Sequence, residues 1–574
     1  MASNSSYLLG SKRVPTRSGG GRRWPRRLAY GFIAFAIALP LAYLVFLRMT
    51  RIEPPPVDPA VRAAAQEPVV VRGVRAYLGK SWMSRERGIW EEHLEGGPYA
   101  LGYAQARLGS RLLREQEDYM FSEMNKWVPS KIARFLIRAG VRLRYRHLAD
   151  FIPLERQLEM AGLADGSIDR HSDFLPAYHR IVFYHALHDI TQGLEHSPLL
   201  GCSAFAAGGA ATPGGHLILG RNFDFEGPPI FDSDKSVLFF KPTGKIPFAS
   251  VAWTGMSGVV TGINAEGIFV SLNAARTDDK GKEGMPVEIL MRQIMEQARS
   301  IKDVVAMVKK TPLMVPDFYL VGDGKTGEAA VIERSPTRTE VRRTSQSTGS
   351  IVVTNHALTP AFAGDAENDR LKRYLTSGAR YDRLSELVKK WHGQIDPQKA
   401  LEILRDKKGV GGVALGLGNR NALDAIIATH SVVVDATNLI LWVSQGPHLS
   451  GRYIGFDLKK ELGGPEYASR PNPPDLPADP ILDTDEYRNF VLAKASLAAA
   501  EQLWREHDPD RALEEVRRAE GLEEAMPEPH KLAGDALRAR GDREGARKEY
   551  QRFLQLYPPH LKEVEEVRSI LATL

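Results

Sequence analysis

Residues 199–225 read LLGCSAFAAGGAATPGGHLILGRNFDF and hold Cys202, the single cysteine of 574 residues. Gly201 precedes it, and small residues follow at Ser203, Ala204, Ala206 and Ala207. Pro213-Gly214-Gly215 then reads as a turn and His216–Gly220 as a strand, which ends in Arg221-Asn222-Phe223-Asp224. A lone cysteine is most often a small buried hydrophobe. The glycine before this one and the Arg-x-x-Asp at the end of the next strand point elsewhere. A thiol of ordinary pKa is mostly protonated at neutral pH, so a nucleophilic cysteine needs a base or a lowered pKa. Cutting the Gly201–Cys202 bond would give Cys202 a free α-amine with a pKa of roughly 7.7–8. Nucleophile and base then belong to one residue. Glycine at 201 leaves that bond sterically open and allows strained backbone angles.

These features resemble the cleavage and nucleophile region of N-terminal-nucleophile (Ntn) hydrolases. The greatest similarity is to the acyl-CoA:6-aminopenicillanic acid acyltransferase family, with bile-salt and penicillin V hydrolases as more distant relatives. Gly97-Pro98-Tyr99 with Leu101-Gly102-Tyr103-Ala104, and Glu159-Met160-Ala161-Gly162-Leu163-Ala164-Asp165-Gly166, are similar to stretches of that family's precursor segment. The resemblance covers about residues 97–458 in short motifs. It implies an α+β fold, a four-layer αββα sandwich, made as a precursor and cut between Gly201 and Cys202. It also implies roles for particular residues. Arg221 lies beside the thiol and Asp224 holds the α-amine. Two oxyanion donors follow: the backbone N–H at Asn273, in Asn264-Ala265-Glu266-Gly267 and Val270-Ser271-Leu272-Asn273, and the side-chain amide of Asn355, in Val352-Val353-Thr354-Asn355-His356. Arg380, in Ser377-Gly378-Ala379-Arg380, becomes a candidate active-site arginine. The family uses no catalytic histidine, so His356 receives no role, and Thr429-His430-Ser431 matches closing strands. No cofactor is implied, and no clustered His/Cys ligands point to a metal.

The overall charge of +6 is misleading as a property of the whole. Residues 1–51 hold nine of the 76 Lys/Arg and no Asp/Glu, leaving 67 basic against 70 acidic residues, which argues against nucleic acid as partner. Residues 1–27 form a basic tail, and Leu28–Leu47 is an uncharged apolar run of 20 residues, enough to span a bilayer. Basic residues before the span put the amino terminus in the cytoplasm and the rest outside it, in the periplasm if the source is bacterial. A cleaved signal peptide usually has a shorter apolar core, so a retained single-pass anchor is expected. Residues 48–68, with Glu53-Pro54-Pro55-Pro56, read as a stiff spacer. Arg134, Arg138, Arg142, Arg144 and Arg146 make a basic helical stretch, suited to solvent or to anionic lipid.

Residues 69–201 are expected to form the precursor segment and 202–462 the catalytic domain. In the latter, short turn-bounded apolar runs at Ser236–Lys241, Phe248–Trp253, Val259–Asn264 and Ile268–Asn273 read as strands. Pro286 opens a helix with Val287, Leu290, Met291, Ile294 and Met295 on one face. Gly324-Lys325-Thr326 is no phosphate loop, because Tyr319 stands where that motif needs glycine. Residues 463–484 read as a linker. Beyond it, Ala500, Leu503, Ala512, Val516 and Ala519 recur 34 residues later as Gly534, Leu537, Ala546, Tyr550 and Phe553. Residues 485–574 therefore look like two tetratricopeptide (TPR) repeats and a capping helix, which would bind a protein partner or the catalytic domain.

The expected function is thus a membrane-anchored, self-processing cysteine amidohydrolase or acyltransferase acting on a small acyl amide through a thioester, its two chains remaining associated. A papain-type hydrolase using His356 or His430, and a non-catalytic TPR scaffold on a degenerate Ntn fold, are the alternatives.

Overall fold

In the computed structural model, residues 26–192, 200–225, 229–281, 283–345 and 347–574 are described. The basic tail up to residue 25 and the stretch 193–199 before Leu200 lie outside them. Among the described residues, those from Arg26 to Arg51 together with Arg138–Arg146 form one compact unit, and the others a second. In the first unit the helix Arg26–Met49 carries an apolar window, Tyr30–Met49, of mean hydropathy 2.2, none of which is buried. Arg142 donates from Nε to Thr50 Oγ1 at 3.0 Å and from Nη2 to the Leu47 carbonyl at 3.1 Å, near that helix's C-terminus.

The second unit is built on two sheets. The strands are β1 (Val70–Arg72), β2 (Arg75–Leu78), β3 (Ser81–Ser84), β4 (Trp90–Gly96), β5 (Leu200–Gly209), β6 (Gly215–Phe225), β7 (Lys235–Pro242), β8 (Phe248–Trp253) and β9 (Thr261–Asn264). They continue with β10 (Ile268–Ala274), β11 (Asp317–Asp323), β12 (Glu328–Arg334), β13 (Thr339–Arg343), β14 (Ser350–Val353), β15 (Ala428–Asp435), β16 (Ile440–Ser444) and β17 (Tyr453–Asp457). One sheet runs in the order β1-β2-β3-β4-β7-β8-β9-β10-β11-β12-β13, the other β14-β5-β6-β15-β16-β17. Neighbours are antiparallel except β4 and β7, because the whole helical precursor segment and the β5–β6 hairpin intervene between them.

Alternation along the strands sorts side chains into layers. On β5, Ala204 and Ala206 face the other sheet and meet Phe239, Val251 and Phe318, while Phe205 and Ala207 face outward onto the helices Ser377–Lys390 and Pro397–Leu404. The larger sheet covers its outer face with the helices Val287–Gln297 and Ile301–Lys310. The order is helix, sheet, sheet, helix. Pro286 is the cap of the first of these helices rather than its first residue.

The two precursor motifs are the two sides of one helix crossing. Gly102 on the helix Pro98–Leu108 and Gly162 on the helix Leu154–Gly166 each lie against the other helix's backbone, so a Cβ at either would overlap a carbonyl oxygen, of Glu159 or Tyr99. Tyr99 closes the crossing by donating to Asp165 at 2.8 Å. Gly162→Val is therefore expected to destabilise by about 2–3 kcal/mol, a drop of several degrees in Tm by calorimetry; an unchanged Tm would mean the crossing is looser than this.

Below the crossing, a buried ion network joins the helix Leu154–Gly166 to the helix Val287–Gln297. Arg156 pairs with Glu159 and reaches Glu296 at 3.2 Å, while Arg292 meets Glu296 at 2.8 Å and Glu159 at 3.4 Å. Arg292 also lies over the Phe240 ring at 3.9 Å. Removing one member would strand the others without water, so the network fixes the helix Leu154–Gly166 in one register.

The segment expected to be a linker is strapped to the smaller sheet. Tyr453 and Leu476 exchange backbone hydrogen bonds at 3.0 and 2.9 Å, and Trp442 Nε1 donates to the Pro474 carbonyl at 2.9 Å. Its proline content suits an edge that gives few N–H groups to a ladder. Beyond it come helices Asp485–Arg505, Pro509–Leu522, Pro527–Ala539, Arg543–Gln555 and Leu561–Thr573. Their buried contacts include the residues at the 34-residue spacing, with Gly534 against the Tyr550 ring.

Candidate active site

Cys202 sits at the start of β5, paired with Phe223 of β6, while Gly201 pairs with Asp224. Because side chains alternate, Cys202, Arg221 and Phe223 share the inner face of the sheet, and Asp224 lies on the outer face with Ser203. The backbone of residues 201–202 runs between these faces. It is therefore within reach of the groups on both faces.

On the inner face the thiol is 1 % exposed. Arg221 Nη2 lies 3.8 Å from Sγ, and the same guanidinium donates to Thr261 Oγ1 and to the Leu272 carbonyl. His430, stacked on Phe223 at 4.9 Å, accepts a hydrogen bond from Arg221 Nη1 at 3.3 Å and contacts Thr261 Oγ1 at 2.8 Å. Burial drives His430 well below its ordinary pKa, and the charges of Arg221 and Lys235 add to that. It braces the arginine as a neutral ring.

On the outer face Arg380, one turn into the helix that starts at Ser377, donates through Nη1 to the Cys202 carbonyl at 2.7 Å and to Ser203 Oγ at 2.8 Å. Its Nη2 donates to Asn355 Oδ1 at 2.7 Å, and that same oxygen accepts the Cys202 backbone N–H at 3.1 Å. Ser377 Oγ accepts the Asn355 N–H at 2.9 Å and lies 2.8 Å from His356 Nδ1. The Ser-x-x-Arg spacing thus lets one helix end fix both the Asn355 loop and the guanidinium. The hydrogen bonds of His356 go to Thr354 and Ser377, and those of His430 to Thr261 and Arg221, rather than to the thiol.

Three expectations change. Gly201 is not held in a left-handed conformation, and a Cβ there would meet Arg380 Nη2 and Asp224 Oδ2 at 3.5 Å, an ordinary contact. Burial pushes the Cys202 thiol above its usual pKa, outweighing Arg221, because the buried site disfavours thiolate more than the guanidinium favours it. Thirdly, the backbone N–H at the thiol belongs to Ala274, not Asn273. N–H groups alternate sides along an antiparallel strand. The Leu272 N–H bonds the Val260 carbonyl, so Ala274 points the same way, toward Cys202, and Asn273 points to β11. The Asn273 side chain instead donates to the Thr354 carbonyl at 2.9 Å. Asn355 Nδ2, for its part, donates to the Ala274 carbonyl at 2.8 Å in this uncleaved chain.

Asp224 has its carboxyl raised to about 7 by burial, against the pull of Arg380 and Arg420. Its Oδ1 is buried without a hydrogen-bond partner. This places a buried carboxyl with one unpartnered oxygen beside the Gly201–Cys202 junction. Sequence reasoning missed Ala274, Thr261 and Arg420. A small residue, a threonine and a loop arginine carry no pattern of their own; only the register next to Asn273 hinted at the first.

Two cavities lie near this region, of which the smaller adjoins Gly201. One of about 310 Å³ lies beyond Phe223 and Phe225 on the inner side, walled by Leu113, Leu163, Trp253 and Val260. The other, of about 60 Å³, is lined by Gly201, Ala274, Asn355 and Arg380. Among the described residues, the one group of three close His/Cys/Asp/Glu side chains with metal-ligand spacing is Glu520, His530 and Glu549, in the C-terminal helices. Arg517 already pairs with both glutamates there, at 2.6 and 2.5 Å.

The family model that matches is that of acyl-coenzyme A:6-aminopenicillanic acid acyl-transferase, over residues 211–413, a span that begins after Cys202 and includes Arg221, Asp224, Asn355 and Arg380. An uncharacterized protein of Archaeoglobus fulgidus is 26% identical over 370 residues, 58% of this chain and 59% of its own length. The N-acylethanolamine-hydrolyzing acid amidase of Caenorhabditis elegans is 25% identical over 240 residues, 39% of this chain and 63% of that protein. The chain spans about three-fifths of the length of these curated relatives. A solved structure of the Caenorhabditis elegans N-acylethanolamine-hydrolyzing acid amidase ortholog aligns with a TM-score of 0.31 and 18% identity, covering 41% of this chain and 93% of that one. Residues 211–413 thus carry the sequence pattern of the acyl-coenzyme A:6-aminopenicillanic acid acyl-transferase family, the family that the motifs around Cys202 resemble.

Proposed function

We propose that this protein is a self-processing amidase that cleaves acyl amides with a long apolar acyl chain through a thioester on Cys202. The observation that carries this reading is the convergence of Arg221, Asp224, Asn355 and Arg380 on residues 201–202, with His356 and His430 engaged elsewhere. After cleavage, the α-amine of Cys202 takes the thiol proton. The thiolate attacks the amide carbonyl, the α-ammonium returns the proton to the departing amine, and water hydrolyses the thioester. Asn355 and the Ala274 N–H supply the donors to the oxyanion.

The inner cavity, about 310 Å³ and largely apolar, suits the acyl chain. The helix Arg26–Met49 acts as a membrane anchor with its amino terminus cytoplasmic. Trp127, Ile132, Leu136 and Ile137 are exposed, and with Arg134 they suit a layer of lipid headgroups. Residues 485–574 are read as two TPR-like helix pairs with a closing helix. A series of N-acylethanolamides of increasing chain length tests the substrate class. Each added methylene is expected to raise kcat/KM about fourfold until the cavity is full, from ~0.8 kcal/mol per buried methylene. Met256→Trp, on the cavity wall, is expected to move the optimum to shorter chains. A flat length profile would overturn this assignment of the cavity.

A further inference from the structure

We infer that the C-terminal helices are an intrachain brace for the active site. Through the loop Gly416–Ile426 they hold the strand pair β6–β15 beside Cys202 in the geometry that processing and turnover need. The activity readouts rest on the amidase reading above; the brace itself is read from packing.

The loop is seated on these helices by its own backbone. Gly416 lies against the Ala525 carbonyl, and Gly418, at φ +79°, against the Phe490 ring, so closely that a Cβ at either would overlap. At 418 only glycine allows both that backbone angle and that approach. Asn419 Nδ2 and Asn421 Nδ2 donate to the Tyr557 carbonyl, at 3.1 and 3.2 Å. Leu417 and Ile426 are buried in the same apolar core as Phe490, Leu497 and Met526. Ile426 has φ +54°, a left-handed conformation that a β-branched residue keeps only where its surroundings impose it. Those surroundings include the side chains of the C-terminal helices. Lys407 adds a polar tie, pairing with Asp424 of the loop at 2.8 Å and with Asp479, ahead of the helices, at 2.6 Å.

The other side of the loop meets the strands next to the nucleophile. Asn222, inside Arg221-Asn222-Phe223-Asp224, donates from Nδ2 to the Leu423 carbonyl at 3.0 Å. Its Oδ1 accepts from Ser431 Oγ of β15 at 2.7 Å. Two residues after Ile426 the chain enters β15, where Ala428 pairs with Asp224. The register then shifts, so that His430 pairs with Phe223 and reaches Arg221. An extra residue in one strand re-aims the side chains beside it. The path by which the loop enters β15 therefore sets where Asp224 and His430 stand. Phe490, Gly418 and Ile426 are positioning residues in this sense, far from the thiol in sequence and joined to it through one loop.

The test uses the full chain. It reads hydrogen exchange by mass spectrometry in peptides covering Arg221–Asp224 and Ala428–Ser431, together with processing at Gly201 and amide turnover. Phe490→Ala, which empties the ring site against Gly418, is expected to speed exchange in both peptides about tenfold or more and to slow processing and kcat by a similar factor. Phe490→Leu refills much of that site and is expected to return all of these toward native values. Gly534→Ala is the control for stability: its added Cβ crowds the Tyr550 ring, so Tm falls while both peptides and processing stay native. If Phe490→Ala does not fold, Asn421→Ala is read in its place; it removes one tether to Tyr557, leaves the core whole and is expected to shift the same rates about threefold. Exchange unmoved in the loop-facing variants, or moved equally by Gly534→Ala, overturns the inference, and so does faster exchange with native processing and turnover. In each of these cases a native chain that processes and cleaves amides leaves the amidase reading standing. A native chain that does neither overturns that reading, and the exchange rates then decide by themselves whether the helices brace the strands.

Discussion

Cys202→Ala is expected to leave one full-length chain and no amide turnover, where the native sequence is expected to give two chains, residues 1–201 and 202–574 if the anchor is uncut. In the proposed route the thiol attacks the Gly201 carbonyl, the acyl group shifts from nitrogen to sulfur and so frees the α-amine, and water then hydrolyses the thioester to give the Gly201 carboxylate and the thiol. Intact mass and amino-terminal sequencing read the outcome directly. Cys202→Ser is expected to process slowly, since a hydroxyl is the weaker nucleophile. In the uncleaved chain the thiol is pushed up by burial, so a proton acceptor is needed, and Asp224, raised to about 7, stands next to the junction. If the ionised carboxylate serves, processing quickens as pH rises through about 7, and Asp224→Asn flattens that profile. Stability carries the opposite sign. The folded carboxyl binds its proton more tightly than an unfolded Asp of pKa ~3.9, so between about 4 and 7 stability falls as pH rises. A single active chain with Gly201 still joined to Cys202 would overturn self-processing and favour the papain-type alternative.

Asn355→Ala is expected to lower kcat by about 10²–10³, equivalent to ~3–4 kcal/mol, with KM much less affected. Asn355 bridges three elements: it accepts from the Cys202 N–H and from Arg380, and donates to the Ala274 carbonyl. The proposed role requires Nδ2 to turn from the Ala274 carbonyl toward an oxyanion near the Ala274 N–H. Asn355→Asp keeps the shape and both acceptor contacts but presents charge where charge develops, so it too is expected to be slow. Near-native turnover in the alanine variant, with an unchanged Tm, would remove Asn355 from the oxyanion site. Processing in the same variant is a separate readout, because the N–H it holds is the scissile one.

How much of this was legible beforehand depends on the range over which each interaction acts. The strands that flank Cys202, the helix after Pro286 and the anchor-length apolar helix follow from periodicity and turn residues, which are local. The Ser377-to-Arg380 spacing is also local: one helical turn separates the hydroxyl that holds Asn355 from the guanidinium that holds the Cys202 carbonyl. The precursor motifs at Gly102 and Gly162 were visible as motifs. That they are two faces of a single crossing was not, since nothing in either stretch names its partner.

By itself, then, the sequence singled out Cys202 as the candidate nucleophile, its glycine, the Arg-x-x-Asp of the next strand and the elements carrying them, because these depend on residue type and neighbouring positions. Only the tertiary structure decided which backbone N–H meets the thiol, which side of the strand pair holds each cavity, and that burial overrides Arg221 in setting the state of the thiol. It alone brought His560 to the small cavity, beside Gly201. Strand register, desolvation and packing between segments hundreds of residues apart are sums over contacts in space, and no window along the chain contains them.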